Sequence, residues 1–264
     1  MGSRLDQTVL LAARRELSPS SFSLELSCSQ PFKAEPGQFA MLGLSAGYDP
    51  LLRRPFSIAT VKQEGKQGIK VELLVKEVGK TTRALRRLPL GATLHLLAPL
   101  GKGFQLAAAG AYPTLVAGGI GLPPLLFAAS ALRQRGVHFD FFFGAANHQE
   151  LFLREEIAAL TSGEVIFTTD DGSFGEPGPV TQALERRLDR GYTRILACGP
   201  TPMLKALARL ARAWEVEAEV SMEEPMACGV GVCLGCVVKL KTGTYVASCK
   251  DGPVFLTSQL AEDW

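Results

Sequence analysis

The sequence predicts an antiparallel β-barrel, followed by a doubly wound α/β domain with a parallel sheet and by a small cysteine-rich C-terminal segment. Three features predict this order: short alternating runs fill the first hundred residues, strands and helices alternate from residue 111, and Gly and Cys become frequent after residue 220. At 264 residues, the chain can form two compact domains and an appendage. We therefore place the domains at 1–108, 109–219 and 220–264.

The predicted barrel rests on runs in which apolar and polar residues alternate, at 22–26, 69–73 and 93–97. Pro and Gly separate these runs. Alternation with a period of two is typical of strands with one buried face, and short strands between turn residues favour an antiparallel barrel.

The α/β domain is predicted from apolar strands that alternate with amphipathic helices. The predicted strands are residues 114–117, 138–143, 165–168, 194–197 and 216–220. The predicted helices follow Pro123 or lie around 151–160, 180–188 and 201–214. This alternation implies a parallel sheet whose ligands bind at the carboxyl ends of the strands.

The last segment is too short to bury a hydrophobic core of its own. It contains a possible hairpin, 237–240 with 244–247, and four of the six cysteines. Below about 40 residues, a metal site is a usual means of stabilising a fold. The clustering therefore indicates metal ligation and not disulfides, whereas Cys28 is expected to be a small buried hydrophobe.

Composition and charge exclude several classes of protein. Hydrophobic residues make up 47% of the chain and charged residues 20%, as in globular proteins. The net charge of +2 has no basic face, so no nucleic acid is expected to bind. Residues 114–132 are uncharged, but Gly and Pro interrupt them, so we predict a buried strand and helix and no membrane association. The first 17 residues lack the order of a signal peptide, which predicts a cytoplasmic protein.

The most specific motif is the C-terminal set of cysteines. Its members are Cys228, Cys233, Cys236 and Cys249. Their spacing, C-x4-C-x2-C and then a distant cysteine, is that of plant-type [2Fe-2S] ferredoxins. Gly229, Gly231 and Gly235 lie between the ligands, where we expect positive φ and backbone N–H groups close to sulfur. A zinc site stays open as the alternative, because four thiolates also bind zinc.

Two motifs in the first domain offer groups to a cofactor that carries phosphate and an aromatic ring. Arg54-Pro55-Phe56-Ser57 supplies a cation, an aromatic side chain and a hydroxyl at a predicted strand end. Gly79, Thr81 and Thr82 precede a predicted helix, whose free N–H groups can bind a pyrophosphate. The alternatives are a charged strand end with a buried Phe, and a plain helix cap by Thr81 or Thr82.

The α/β domain carries candidate dinucleotide contacts at its strand ends. Gly118-Gly119-Ile120-Gly121 follows a strand and precedes a helix, although its order differs from G-x-G-x-x-G. Further loops lie at 144–147, at 169–173 with Asp171, and at 198–200. Loops on one sheet edge predict a ligand site, with ordinary turn chemistry as the alternative for each loop.

Together, Arg54–Ser57, Gly118–Gly121 and Cys198–Pro200 resemble the ferredoxin-NADP reductase superfamily over nearly the whole chain. The resemblance implies an FAD-binding barrel and a nicotinamide-binding domain, with Cys198 near the nicotinamide as a candidate catalytic residue. The candidate cofactor contacts are Arg54, Pro55, Phe56, Ser57, Leu74, Val75, Lys76, Gly79, Thr81, Thr82, Gly118, Gly119, Gly121, Asp171, Cys198, Gly199 and Pro200.

The runs Met226–Cys236 and Cys249–Phe255 resemble the electron-transfer subunits of heteromeric, NAD-linked dihydroorotate dehydrogenases, which act in pyrimidine biosynthesis. That resemblance implies electron transfer between NAD(H), FAD, a [2Fe-2S] cluster and the FMN of a separate catalytic subunit, in a heterotetramer with two copies of each subunit. Small subunits of bifurcating ferredoxin-NADP oxidoreductases look similar but often have Asp at one ligand position. Four cysteines favour the first family.

Redox chemistry supports the same function. A nicotinamide delivers electrons in pairs as hydride and an iron-sulfur cluster takes them singly, so a flavin is required between them. NADH is predicted over NADPH, because Ala145-Ala146 lacks the Arg that a 2′-phosphate favours. Thr81 stands where the family has Gly, which puts close backbone approach there in question. Two hypotheses stay open: a subunit of another NAD(P)H-linked complex, bifurcating or sulfur-reducing, and a zinc-stabilised interaction module.

Overall fold

The structure, a computed structural model, describes residues 5–45, 49–65, 68–262 and 264. Its N-terminal part has the strands β1 (Leu5–Glu16), β2 (Ser21–Cys28), β3 (Phe39–Leu44), β4 (Arg54–Glu64), β5 (Gly68–Lys76) and β6 (Thr93–Leu100). These strands pair antiparallel in the order β1-β2-β5-β4-β3-β6 and close into a barrel. Alternate side chains such as Phe22, Leu24 and Leu73 fill its interior, as the period-two pattern predicts. Helix α1 (Lys80–Arg87) follows β5.

The second part is a parallel sheet covered by helices. Its strands are β7 (Pro113–Gly118), β8 (Asp140–Ala145), β9 (Val165–Thr169), β10 (Glu176–Pro177), β11 (Arg194–Cys198) and β12 (Ala218–Ser221). Its helices are α2 (Leu122–Gln134), α3 (Arg154–Leu160), α4 (Val180–Glu185) and α5 (Thr201–Ala213). The strand order is β10-β9-β8-β7-β11-β12. Strands β8 to β10 are therefore added on one side of β7, and β11 and β12 on its other side, so the strand order reverses between β7 and β11. The predicted doubly wound domain is confirmed.

Helix α2 explains the uncharged stretch in the sequence. It is buried on several sides because it packs between the parallel sheet and barrel strand β4. Leu122 and Leu126 share a core with Ala59 and Leu74 of the barrel. Among the described residues, no helix combines the length and the apolar character needed to cross a bilayer.

The helix predicted around 151–160 starts later in the structure. Residues 148–150 form a 3₁₀ turn, in which the Asn147 side chain accepts hydrogen bonds from the N–H groups of Gln149 and Glu150. Leu153 then takes a left-handed conformation, with φ of 58°, before α3 begins at Arg154. The local cap therefore delays the helix by three residues.

The C-terminal segment joins both larger parts. Its elements are β13 (Val237–Lys239), β14 (Tyr245–Ala247), α6 (Ser248–Asp251) and β15 (Val254–Leu256). The predicted hairpin is present as β13 paired with β14. Strand β15 runs antiparallel to β12 and extends the sheet, while Pro253 forms a bridge to Lys102 at the end of the barrel. The segment is thus a wedge between the barrel and the sheet.

A buried carboxylate holds the amino edge of the sheet together. Asp140 accepts hydrogen bonds from the hydroxyls of Tyr112 and Tyr192, both at 2.8 Å, and from the N–H of Glu164 at 2.7 Å. Arg190 pairs with it at 3.0 Å. Burial alone would raise the pKa of Asp140, but these donors outweigh it and lower the pKa.

We expect Asp140→Asn to reduce the free energy of unfolding by about 3 kcal/mol near neutral pH, because the neutral amide leaves buried donors unmatched. Since the folded-state pKa is lowered, the stabilisation by Asp140 is present at neutral pH and is lost as the pH falls through that pKa. Urea titrations at several pH values check this. The difference from wild type should shrink in acid, and Asp189→Asn, at an exposed position, should change little.

Candidate functional site

A cavity of 1110 Å³ lies where the barrel, the parallel sheet and the C-terminal segment meet. Its volume exceeds the roughly 300–1,000 Å³ typical of pockets for drug-sized ligands. Predicted residues that line it are Arg54, Pro55, Phe56, Ser57, Leu74, Lys76, Gly79, Thr81, Thr82, Cys198 and Pro200. The fold thus brings the barrel motifs and the Cys-Gly-Pro loop into one site.

The end of β5 and the start of α1 form one wall of this cavity. Leu74 and Lys76 face it, whereas Val75 points into the barrel core, as alternation along a strand requires. The hydroxyl oxygen of Thr82 accepts hydrogen bonds from the N–H groups of Val78 and Gly79, at 3.0 and 3.1 Å. Thr82 is the third residue of α1, and its hydroxyl thus holds the N-cap residue, Gly79, in place at the start of the helix. Thr81 is buried in the cavity wall beside it.

The strand β4 motif lies beside this wall, because β4 pairs antiparallel with β5. Arg54 donates to the backbone carbonyl of Leu52 at 2.7 Å, which holds its guanidinium at the cavity rim. Phe56 also packs against the barrel core. Ser57 presents a partly exposed hydroxyl to the cavity. A cation, a ring and a hydroxyl are therefore available along one strand.

Two strand-end loops of the predicted nicotinamide site, after β7 and after β11, meet at the point where the sheet order reverses, which is where doubly wound sheets bind ligands. A side chain at Gly121 would collide with the carbonyl of Cys198, and one at Gly199 would lie 3.1 Å from the Cα of Gly118. Gly118, Gly119, Gly121 and Gly199 do not line the cavity themselves. The absence of a side chain at Gly118, Gly121 and Gly199 allows the two loops to pack closely.

Cys198 is buried at the cavity wall. Burial, with a smaller effect of the charge on Glu223, raises the pKa of Cys198 to about 12. Its thiol is therefore neutral at physiological pH, so it offers the site a compact uncharged group.

Asp171 lies outside the cavity, in the loop after β9. Its carboxylate accepts hydrogen bonds from the N–H and hydroxyl of Ser173, at 2.9 and 2.6 Å, and these lower its pKa. The N–H of Asp171 donates to the carbonyl of Ala146. The predicted loops after β8 and β9 therefore lie side by side at the carboxyl edge of the sheet.

Glu223 and Glu224 also line the cavity, although neither is among the predicted cofactor contacts. Glu223 is exposed at the cavity opening, yet the neighbouring protein displaces water from one side of its carboxyl group and raises its pKa, against an opposing effect of Lys76. Burial also raises the pKa of Glu224. Their position directly after the last parallel strand, at its carboxyl end, was the available signal.

The four cysteines lie on the wedge beside this cavity. Cys236 and Cys249 are 2% and 1% exposed, Cys228 is partly exposed and Cys233 is exposed. Backbone N–H groups already point at sulfur: Gly231 donates to Cys249 at 3.1 Å, and Cys249 donates to Cys236 at 3.4 Å. Such donors stabilise the charged thiolates that ligate iron.

The glycines of the cluster loop were predicted to take positive φ. Gly229 and Gly231 do, with φ of 71° and 83°. The expectation is wrong for Gly235, because Leu234 takes the left-handed conformation in its place, with φ of 56°. A side chain at Gly229 would lie 2.6 Å from Cγ of Met41, so this loop packs directly against the barrel.

Backbone hydrogen bonds link the cysteines in two pairs: the N–H of Cys233 donates to the sulfur of Cys228 at 3.5 Å, and the N–H of Cys249 donates to that of Cys236. Two thiolates for each of two irons is the ligand set of a [2Fe-2S] cluster held by four cysteines.

Comparison with known proteins decides the family. Residues 223–261 match the iron-sulfur cluster binding domain of dihydroorotate dehydrogenase B, and residues 115–209 match an oxidoreductase NAD-binding domain. The dihydroorotate dehydrogenase B (NAD(+)) electron transfer subunit of Bacillus caldolyticus is 38% identical over 260 residues, which cover 96% of this chain and 98% of that protein. This chain belongs to the dihydroorotate dehydrogenase B electron transfer subunits.

A second relative, the electron transfer subunit from Shouchella clausii, is 40% identical over 228 residues, 84% of this chain and 85% of its own length. Among solved structures, the NADH-dependent reduced ferredoxin-NADP oxidoreductase matches with a TM-score of 0.84 and 27% identity, covering 97% of this chain and 90% of that chain. The ferredoxin reductase of carbazole 1,9a-dioxygenase, with a TM-score of 0.69 and 24% identity over 81% of this chain and 67% of its own, shows the shared fold.

Membership of the electron transfer subunit family confirms the predicted function, that of the electron transfer subunit of NAD-dependent dihydroorotate dehydrogenase B. It also confirms the predicted superfamily and the predicted cofactors, FAD and a [2Fe-2S] cluster with NAD(H). The zinc-stabilised interaction module is therefore rejected.

The close contact of the cluster loop with the barrel can be tested by Gly229→Ala. Both Gly229 and Gly243 have positive φ, so alanine at either should cost about 1–2 kcal/mol in backbone strain. Only Gly229 faces Met41, whereas Gly243 has open space. We expect Gly229→Ala to lose a further 1–3 kcal/mol, roughly, through overpacking. It should also lower the iron and acid-labile sulfide bound per chain. Equal losses in the two variants would contradict the packing role of Gly229.

Proposed function

We propose that the 1110 Å³ cavity holds FAD, that the four C-terminal cysteines hold the [2Fe-2S] cluster, and that the chain passes electrons between NAD(H) and the FMN of a separate dihydroorotate dehydrogenase catalytic subunit. One observation carries this proposal: the cavity and the cysteines share a wall. Phe39 and Met226 line the cavity and also pack in the small core that contains Cys236 and Cys249.

The chain's own groups suit the parts of FAD. The N-terminus of α1, with Thr81, faces the cavity, where its backbone N–H groups would bind a pyrophosphate. Phe56 and Ser57 lie where a ring and its polar edge can be held. When bound, FAD supplies the exchange between hydride transfer and one-electron transfer. We assign residues 1–108 to FAD binding on this basis.

The groups near Cys198 suit the approach of a nicotinamide. Gly121 and Gly199 allow the loops to close on each other, and the neutral Cys198 thiol leaves space at the cavity wall without adding charge. Lys76 faces Glu223 across this region. We assign residues 109–219 to NAD(H) binding and 220–264 to the cluster.

The exposed side of the cluster loop suits a protein partner. Val232 and Leu234 are 79% and 61% exposed and flank Cys233, and Tyr245 on the adjacent hairpin is 62% exposed. Apolar side chains around an exposed candidate ligand form a surface that a catalytic subunit could cover. We propose docking there, with two copies of each subunit in the assembly. The cytoplasm, which keeps thiols reduced, is the proposed location.

A second candidate follows from the structural match to NADH-dependent reduced ferredoxin-NADP oxidoreductase, which covers 97% of this chain. In that case the partner would be the large subunit of a bifurcating complex. Four cysteine ligands and 38% identity to the Bacillus caldolyticus subunit favour the dihydroorotate dehydrogenase assignment. Mixing the purified chain with each kind of partner, NADH and orotate separates the two. Electron transfer to the bifurcating partner alone would refute the first assignment.

Removal of one exposed ligand should separate the two halves of the reaction. We expect Cys233→Ala to lose iron and sulfide. Mutation of a residue that only hydrogen-bonds to a metal ligand typically lowers activity by about 10–100-fold, so loss of a ligand should lower electron transfer to the catalytic subunit by more than that. NADH-dependent reduction of FAD should remain, because the cavity is intact. Cys28→Ala, at a buried cysteine in the barrel, is the matched control and should keep iron and transfer. Full iron content in Cys233→Ala would contradict the ligand assignment.

Preference for NADH can be tested at the loop after β8. Ala146 is exposed beside the Asp171 loop, and an arginine there could pair with a 2′-phosphate. We expect Ala146→Arg to raise kcat/KM for NADPH relative to NADH by about tenfold, the equivalent of about 1.4 kcal/mol. Ala108→Arg, exposed near the amino edge of the sheet, is the control and should leave the ratio unchanged. An unchanged ratio in Ala146→Arg would place the ribose elsewhere.

A further inference from the structure

Ser248 is a buried hydroxyl donor without an acceptor. Its side chain is 0% exposed, and its Oγ has no hydrogen-bond partner among the described residues. Both of its backbone groups are engaged: its N–H donates to the carbonyl of Cys236 at 2.8 Å, and its carbonyl accepts from the N–H of Gly252 at 3.0 Å. The hydroxyl is therefore enclosed by protein and unmatched.

Helix capping does not explain this serine. The residue that caps α6 is Ala247, and Ser248 is the first residue inside the helix. A buried hydroxyl left unpaired costs about 1–3 kcal/mol, and folded proteins retain few such groups. Something that binds at this place is thus expected to supply the acceptor.

The position of Ser248 indicates what that acceptor is. Ser248 precedes Cys249 in the chain and is hydrogen-bonded to the backbone of Cys236, so it lies between the two buried candidate ligands. The other unpartnered hydroxyl in the described chain, that of Thr168, lies on β9 against Gly144, away from the cysteines. Sulfide and thiolate sulfurs of a bound cluster are anionic acceptors that would match Ser248.

We propose that Ser248 donates a hydrogen bond to a sulfur of the bound [2Fe-2S] cluster and raises its reduction potential. This inference rests on the proposed cluster site. Reduction adds one electron to the cluster, while the Ser248 proton stays on its oxygen and no bond breaks. The added negative charge strengthens the hydrogen bond, so Ser248 stabilises the reduced state more than the oxidised state.

The test compares Ser248→Ala, Ser248→Thr and Ser258→Ala in the FAD- and cluster-containing chain. Ser258 is an exposed serine of the same segment and is the matched control. Iron and sulfide are counted for each variant, and the midpoint potential is measured by redox titration followed by EPR. We expect Ser248→Ala to lower the one-electron reduction equilibrium constant about tenfold, which is about 59 mV. The other two variants should stay near wild type.

A second measurement detects the proton itself. ENDOR spectra of the reduced cluster in H₂O and D₂O should show one exchangeable coupling that is lost in Ser248→Ala and kept in Ser248→Thr and Ser258→Ala. If Ser248→Ala does not retain the cluster, Ser248→Thr decides: wild-type potential and coupling support the proposal, and loss of the coupling overturns it.

Wild-type potential and a full set of couplings in cluster-loaded Ser248→Ala would overturn the role of Ser248 and leave the cluster assignment intact. A potential that falls equally in Ser258→Ala would also overturn it. Wild-type protein that binds zinc or no iron would instead refute the cluster site itself, so the two failures are distinguishable.

Discussion

The packing of Cys236 and Cys249 against a barrel wall of Phe39, Met41 and Leu100 is the contact on which the rest of the structure depends. A segment this short cannot form a hydrophobic core by itself, so its buried side chains pack against those of the barrel. The same contact sets the distance between the proposed FAD cavity and the candidate cluster ligands, because Phe39 lines the cavity and also packs with Cys236 and Cys249. Stability of the segment and electron transfer through it thus require the same close approach.

The wedge is held from its other side by the parallel sheet. Strand β15 pairs with β12, and Val238 and Phe255 enter the core of the nicotinamide domain. Pro253 lies at the junction, where it bridges to the barrel and also lines the cavity. The segment therefore fixes the two larger parts relative to each other. Loss of the metal should for this reason change the structure of the cavity as well as that of the cysteine loop.

The sequence predicted those features whose chemistry is local. The spacing of Cys228 to Cys249, the barrel motif at Arg54 and the glycines before α2 each depend on a few neighbouring residues. Features that arise from long-range packing could not be predicted in this way. Glu223 lines the cavity together with residues from both larger parts of the chain, such as Lys76 and Cys198, and the contact of Gly229 with Met41 joins the cluster loop to a barrel strand far away in the sequence.

The four candidate ligands differ in burial between the two sides of the cluster site. The pair Cys236 and Cys249 is enclosed on the side that shares a wall with the cavity, whereas Cys233 is exposed at the surface among apolar side chains. On the enclosed side, protein donors and low solvent access would fix the environment of a bound cluster. In the proposed complex, docking of the partner would remove water from the exposed side as well. The reduction potential of the cluster would then depend on the assembled complex as well as on this chain.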